Sequence, residues 1–321
     1  MSDRPTLQEL LEVQQKFRLP SAALVEKDWH VVQALAAIVS VDASPFRMVF
    51  GGGTALARAF GLIKRMSEDI DLRIVAGQSP TRGQLRALRN RITDALLKGG
   101  FQFNPDEAAH RESKYKGRYT IYRLPYTPTT EQKGALRPEI QIETAVFPLR
   151  RDVIERQVIS FINEGYSRPA EIPAIACASI SETAAEKLVA LTRRVGAELA
   201  GLRDMRDRTL VRHIYDLHAT RAHYDPADVA SLAREIMIAD AATRARDFPA
   251  YRQNPLAETL KAIEALALND DVTKDYDNFV RDMVYGEKID FKTALGTLEE
   301  LARHLRPGAQ LTPAPATPPA P

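Results

Sequence analysis

The sequence predicts an α+β fold, a small mixed-sheet domain with packed helices over residues 1–155 followed by a helical C-terminal domain over residues 156–305. Three observations predict it. RMVF, DIDLRIV, KYKGRYTIYRL and PEIQIETAVF have strand character, mostly apolar residues at every second place, and all lie in the first half. After about residue 155 strand signals fade, and SISETAAEKLVALTRR, TLVRHIYDLHATR and KTALGTLEELARHL have helical spacing. Residues 306–321 form a Pro/Ala tail with nothing to bury, expected to be disordered.

Taken in order, TLQELLEVQQKF spaces its leucines for a helix, and SAALVEKDWHVVQALAAIV carries Leu24, Val31, Val32, Leu35 and Ile38 as an apolar stripe after Pro20 and Ser21. RMVF is a short strand ending at Gly51. Gly51, Gly52 and Gly53 make a turn, TALARAFGL a short helix, and DIDLRIV the second strand. A basic helix from about Arg82 to Lys98 follows, then a short strand FQF. KYKGRYTIYRL and PEIQIETAVF form an antiparallel pair joined by the loop at 129–138.

Composition excludes several classes. With 321 residues, 45% of them hydrophobic, the chain can bury a substantial core. No run of about eighteen apolar residues occurs, and MSDRPTLQEL lacks the basic-then-apolar order of a signal peptide, so a cytoplasmic protein without membrane contact is expected. Cys177, the single cysteine, sits in apolar IPAIACASI and reads as a buried inert thiol. His213, His218 and His223 fall five apart, missing the i, i+4 spacing of a helical zinc site. The net charge of +2 is too mild to announce nucleic-acid binding, but cations cluster. Arg82, Arg86 and Arg89 share one helical face; Lys114, Lys116, Arg118 and Arg123 crowd the strand pair; Arg193, Arg194, Arg203, Arg206, Arg208 and Arg212 form a third group.

The stretch GGGTALARAFGLIKRMSEDIDL carries the chemistry. Strand, Gly-rich turn and helix start present backbone N–H groups to a phosphate, and glycine permits close approach. Neither the P-loop nor the G-x-G-x-x-G pattern is present. Asp69 and Asp71 alternate on a strand, so their carboxylates leave one face about 6.5 Å apart, with Ile70 and Leu72 behind. Paired carboxylates call for a cation, and hard oxygens select Mg²⁺ or Mn²⁺, which can clamp the oxygens of a phosphoryl or nucleotidyl transfer.

These residues resemble the first motif of the nucleotidyltransferase superfamily related to DNA polymerase β, and in particular of the AbiEii/AbiGii toxin family that includes the MenT toxins. VEKDWHVVQAL, with Glu26, Lys27, Asp28 and Trp29, resembles the family's N-terminal helix; EKLVALTRR resembles its second motif; VRHIYDLHAT resembles its last. Together they span about residues 22–220. The resemblance implies Asp69 and Asp71 as metal ligands and catalytic acids, Gly52, Gly53 and Thr54 with Ser67 around the nucleotide, Lys187 as a phosphate contact, and Asp216 completing the active site. A lysine can neutralise charge on leaving pyrophosphate, and Asp216 can orient it or deprotonate a hydroxyl. VGAELAGLRDMRDRT is longer than in many relatives, leaving Asp204 and Asp207 as alternatives to Asp216, and Arg212 and His213 stand where relatives place an Arg and a Lys. For a third metal carboxylate Glu139 and Glu143 share one strand face, and Glu143 is favoured by the family's pattern. Ser67, two residues before Asp69, would on phosphorylation set a dianion beside the metal site, repel the substrate triphosphate and inhibit.

The family implies a monomeric type IV-like toxin, active in growth inhibition and phage defence, that transfers NMP from NTP to the 3′ end of tRNA, paired with an antitoxin bearing a winged-helix DNA-binding domain. The same chemistry on a small-molecule or protein hydroxyl, and a non-catalytic nucleotide-binding module, are the alternatives.

Overall fold

The computed structural model describes residues 3–130, 136–203, 205–243 and 248–306. The expected Pro/Ala tail, apart from Arg306, and Asp204 lie outside the described residues, as does the middle of the 129–138 loop. The chain packs as two compact units, Met1–Thr183 with Asn278–Lys288, and Ala184–Asp277 with Ile289–Pro321.

The first unit is built on one mixed sheet. Its strands are β1 (Arg47–Gly51), β2 (Asp69–Val75), β3 (Arg111–Lys114), β4 (Tyr119–Pro125), β5 (Glu139–Val146), β6 (Ile154–Val158) and β7 (Ile172–Cys177), in the order β3-β4-β5-β2-β1-β7-β6. β2 pairs antiparallel with β1 and parallel with β5, in register Asp69 to Gln141 and Asp71 to Glu143. Helices α1 (Leu7–Phe17), α2 (Ala22–Val39), α3 (Gly52–Thr54), α4 (Arg82–Lys98) and α5 (Phe161–Gly165) accompany it, and a π-helical turn over Ala55–Ala59 continues α3.

One face of the sheet makes the core. Ile70, Leu72 and Ile74 of β2 and Ile140 and Ile142 of β5 pack with Val32, Leu35 and Ile38 of α2 and Leu85, Leu88, Ile92 and Leu96 of α4. Period-two burial therefore sends Asp69, Asp71, Gln141 and Glu143 to the opposite face. Burial pushes the Cys177 thiol up to about 12, as an inert core thiol requires.

Two sequence expectations change. FQF is not a strand: Gly100, at φ +84°, turns the chain so that the Phe101 N–H donates to Leu96 O at 3.2 Å, closing α4, and Phe101 joins the core. Strand structure does not stop near 155, because β6 and β7 complete the sheet beside β1. Both were hidden by chemistry: β6 is a polar edge, and β7 carries a proline and small residues.

The second unit is helical. It contains most of α6 (Ile180–Leu199), all of α7 (Val211–Ala219), α8 (Pro226–Thr243), α9 (Pro249–Gln253) and α10 (Pro255–Ala267), the start of α11 (Asp270–Met283), and α12 (Phe291–Leu305). Asn254 accepts from Ala257 N–H and Asp290 from Thr293 N–H, capping α10 and α12. Leu188, Leu191, Ile214, Leu217, Leu232, Leu298 and Leu301 are fully buried. Among the described residues no helix is long and apolar enough to cross a membrane.

On α2, His30 stacks on Tyr126 at 4.1 Å, and neither ring nitrogen has a hydrogen-bond partner among the described residues. Burial, reinforced by Arg4, pushes its pKa down to about 4. The unfolded chain binds a proton there near pH 6.5 and the folded chain does not, so this stability is present above pH 6.5 and lost as pH falls towards 4. Replacing His30 by Phe should flatten the pH dependence of unfolding free energy, removing about 2 kcal/mol of the loss between pH 7 and pH 5 in denaturant titrations.

Candidate functional site

In the first unit the site begins where β1 ends. Gly51 is extended, and Gly52 turns at φ +71°, a conformation glycine adopts without steric cost. A Cβ built on Gly52 would lie 1.9 Å from Asp71 Oδ2, so the backbone of the turn rests directly against that carboxylate. At Gly53 a Cβ would meet Arg65 at 2.7 Å and Ser67 Oγ at 2.8 Å. The Thr54 hydroxyl lies 3.0 Å from Ser67 Oγ and donates to the Asp69 carbonyl, tying the turn to the start of β2. Gly52, Gly53, Thr54, Ser67, Asp69 and Asp71 are thus assembled in one place.

Ile70 and Leu72 are 0% and 2% exposed, while Asp69 and Asp71 are half-buried on the other face. Beside Asp71, Glu143 is already engaged: Tyr119 donates to its Oε2 and Gln141 to its Oε1, both at 2.8 Å. Burial, then the Glu143 carboxylate, raises the Tyr119 hydroxyl above its ordinary value, which keeps it a donor. Glu139 faces Arg137 instead, at 3.5 Å. Arg137 also lies 3.1 Å from Asp69 Oδ1 and 3.7 Å from Glu68, a positive charge drawn to the acids of β2 and its approach.

Among the described residues no group of three His, Cys, Asp or Glu side chains stands ready to hold a metal alone. The donors fit the magnesium pattern, in which one or two carboxylates share the ion with water and substrate phosphates. The Gly52 cradle on Asp71 and the cation already attracted to Asp69 support that fit.

Three consecutive buried charges on α2 fix these parts. Glu26 accepts from Arg4, from the Thr129 and Thr130 N–H groups and from the Thr130 hydroxyl. Burial works against its ionisation, but those donors hold its pKa below the ordinary carboxylate value. Lys27 donates to the Arg137 carbonyl at 2.7 Å and to the Glu139 carbonyl, and pairs with Glu68 at 3.2 Å, bracing the entries to β5 and β2. Asp28 accepts from Phe161 N–H at 2.7 Å and pairs with Arg58 at 3.1 Å, anchoring the turn that follows the glycines. Glu182 likewise receives Arg73 at 2.8 Å and the N–H groups of Arg150 and Arg151.

In the second unit, Lys187 on α6 pairs with Asp216 on α7 at 2.6 Å, and the Asp216 side chain is fully buried. Asp207, its sequence-level alternative, is otherwise occupied, accepting from Thr209 N–H and hydroxyl and pairing with Arg194 at 3.3 Å. His213 is held well below its usual pKa by burial and then by Lys187. In the third basic group Arg193 pairs with Asp240, Arg194 with Asp207 and Arg206 with Asp275, all within the unit. Sequence reading missed Arg137, Tyr119 and Glu68. Only the acid run SEDID and the period-two placing of Tyr119 pointed to them.

The family described as nucleotidyl transferase AbiEii toxin, type IV toxin–antitoxin system, matches residues 33–297. The chain belongs to the AbiEii toxin family. Its membership makes it a nucleotidyltransferase toxin of a type IV toxin–antitoxin system, with an antitoxin as counterpart. Among solved structures it is similar to MenT4, a nucleotidyltransferase toxin from Mycobacterium tuberculosis H37Rv, with 17% identity, a TM-score of 0.58, and 94% of this chain and 90% of that one covered. That likeness shows a shared fold. No curated protein matches the AbiEii chain by sequence.

Gly52→Ala puts a methyl group onto Asp71 and into a left-handed conformation. It should cost about 1–2 kcal/mol of stability from the backbone alone, read by denaturant unfolding, and abolish transferase activity while Gly61→Ala, in open space at φ +67°, retains it.

Proposed function

We propose that this AbiEii-family protein transfers NMP from an NTP to the 3′ end of tRNA, using Mg²⁺ or Mn²⁺, and so blocks translation. One observation carries the reading: a glycine turn with no room for a side chain lies against Asp71, on the strand face that also presents Asp69.

When bound, such a cation would neutralise triphosphate charge and polarise the α-phosphoryl group. Asp69 and Asp71 would hold it, beside the Arg137 guanidinium that lies 3.1 Å from Asp69. Glu143, gripped by Tyr119 and Gln141, acts by orienting this face and adding negative field. Gly52, Gly53 and Thr54 offer backbone N–H groups at a helix start to phosphate oxygens. In the step itself the 3′-hydroxyl oxygen bonds to the α-phosphorus, the bond to the bridging oxygen breaks, and pyrophosphate leaves. The hydroxyl proton passes to a carboxylate of the pair or to water. We assign Lys187, held by Asp216, the phosphate-contact role. Ser67, sharing a hydrogen bond with Thr54 beside the glycines, would carry a phosphate directly into this pocket, so its modification should inhibit by repelling NTP.

Purified protein incubated with total tRNA, Mg²⁺ and each α-³²P-labelled NTP in turn should label tRNA with at least one nucleotide, and Asp69→Ala should not. Absence of label on RNA with every NTP would move the acceptor to a small molecule or protein hydroxyl. NTP turnover unchanged by Asp69→Ala would remove these acids from the chemistry.

A further inference from the structure

Two of the basic clusters meet around an aromatic side chain. Between β3 and β4 the chain turns through Tyr115–Gly117, where Tyr115, Lys116 and Gly117 lie at φ +51°, +60° and +88° in succession. For Tyr and Lys this left-handed backbone is unfavourable, and it persists only where packing over-determines it. Here α4 does so. A Cβ on Gly117 would stand 3.2 Å from Arg89 and 3.7 Å from Leu85, and Arg89 donates to the Ser113 hydroxyl at 3.3 Å. The result holds Tyr115 out into solvent, 72% exposed.

Exposed cations flank that residue in the chain and on the helix packed against its turn. Lys114, Lys116 and Arg118 lie on the tip, and Arg82 and Arg86 are exposed on α4 beside it. The acid facing them is Glu112, which pairs with Lys114 at 3.0 Å. In the third basic cluster, by contrast, Arg193, Arg194 and Arg206 each pair with an acid of their own unit. Along the sheet, β4 leads from this tip to Tyr119, whose hydroxyl touches Glu143, the register partner of Asp71. Two strand spacings and two residues put Tyr119 roughly 12 Å from Asp71, and Tyr115 stands four residues further along the chain, so a short single-stranded segment would join the two.

We propose that the β3–β4 tip and the adjoining face of α4 form the docking surface for the RNA acceptor, with Tyr115 stacking on an unpaired base next to the 3′ end and Lys116, Arg118, Arg82 and Arg86 holding phosphates. The inference rests on the tRNA reading above and names the surface that reading requires. An exposed aromatic flanked by cations is the pattern of single-strand recognition: the ring stacks on any base, and the cations supply salt-dependent affinity. The strained backbone is the structural cost of presenting it.

Binding of fluorescein-labelled tRNA to the full chain without NTP, measured by anisotropy over a salt series, tests this. Tyr115→Gly should weaken binding about tenfold or more and Tyr115→Phe should preserve it. Because glycine relieves the left-handed strain, Tyr115→Gly should leave the melting temperature unchanged or raised, which a merely structural tyrosine would not do. Lys116→Gln with Arg86→Gln should lower the slope of log K against log salt by about 1.5. Tyr115→Gly binding tRNA like the wild type would overturn the surface and leave the transferase reading standing. A wild-type protein that binds no tRNA would overturn the acceptor and its surface together, while NTP turnover would still report on the acids.

Discussion

Gly52 has no space for a β-carbon, and the atom that fills that space is an oxygen of Asp71. This contact makes the turn and the acid strand a single object. The turn cannot shift without releasing the carboxylate, and the carboxylate cannot swing away without opening the turn. Asp69 is bound into the same object through the Thr54 hydroxyl on its carbonyl. The nucleotide site proposed here requires this coupling, because a triphosphate and a divalent cation would have to be received side by side.

Such a coupling is only as firm as what holds the strand ends, and here buried charge holds them. Glu26, Lys27 and Asp28 are adjacent on α2, and all three are buried, which an ordinary helix avoids. Each reaches a different part of the site: the loop before β5, the entries of β5 and β2, and Arg58 beyond the glycine turn. Since an unpaired buried ion costs several kcal/mol, each partner is fixed in place by the penalty of leaving. The Arg73–Glu182 pair fixes the far side of β2 in the same way, and Lys187–Asp216 repeats the device within the helical unit.

Much of this was legible in the sequence. DIDLRIV and PEIQIETAVF announced strands and the face their acids would take, because period-two burial is a local property. The glycines announced a turn. What escaped was non-local. β7, with small residues and a proline, becomes a strand by pairing beside β1; FQF, apolar enough for a strand, ends a helix instead. EKD marks a family resemblance in the sequence, but its meaning as three buried clamps depends on partners far along the chain, as in Asp28–Arg58, and Asp28–Phe161, 133 residues apart. The arginine-rich segment around residues 193–212 reads as a uniform basic surface in one dimension, whereas in three Arg193, Arg194 and Arg206 are each paired with an acid.

All of the proposed chemistry requires that Asp69 and Asp71, seated against the glycine turn, receive a triphosphate together with its divalent cation. Isothermal titration of the full chain with a non-hydrolysable NTP analogue reads that event without any acceptor, with Mg²⁺, with EDTA and in an Asp71→Asn variant of unchanged melting temperature. Saturable binding with Mg²⁺ that disappears with EDTA and in the variant is the expected result. Equal affinity under all three conditions would contradict a joint site for nucleotide and cation.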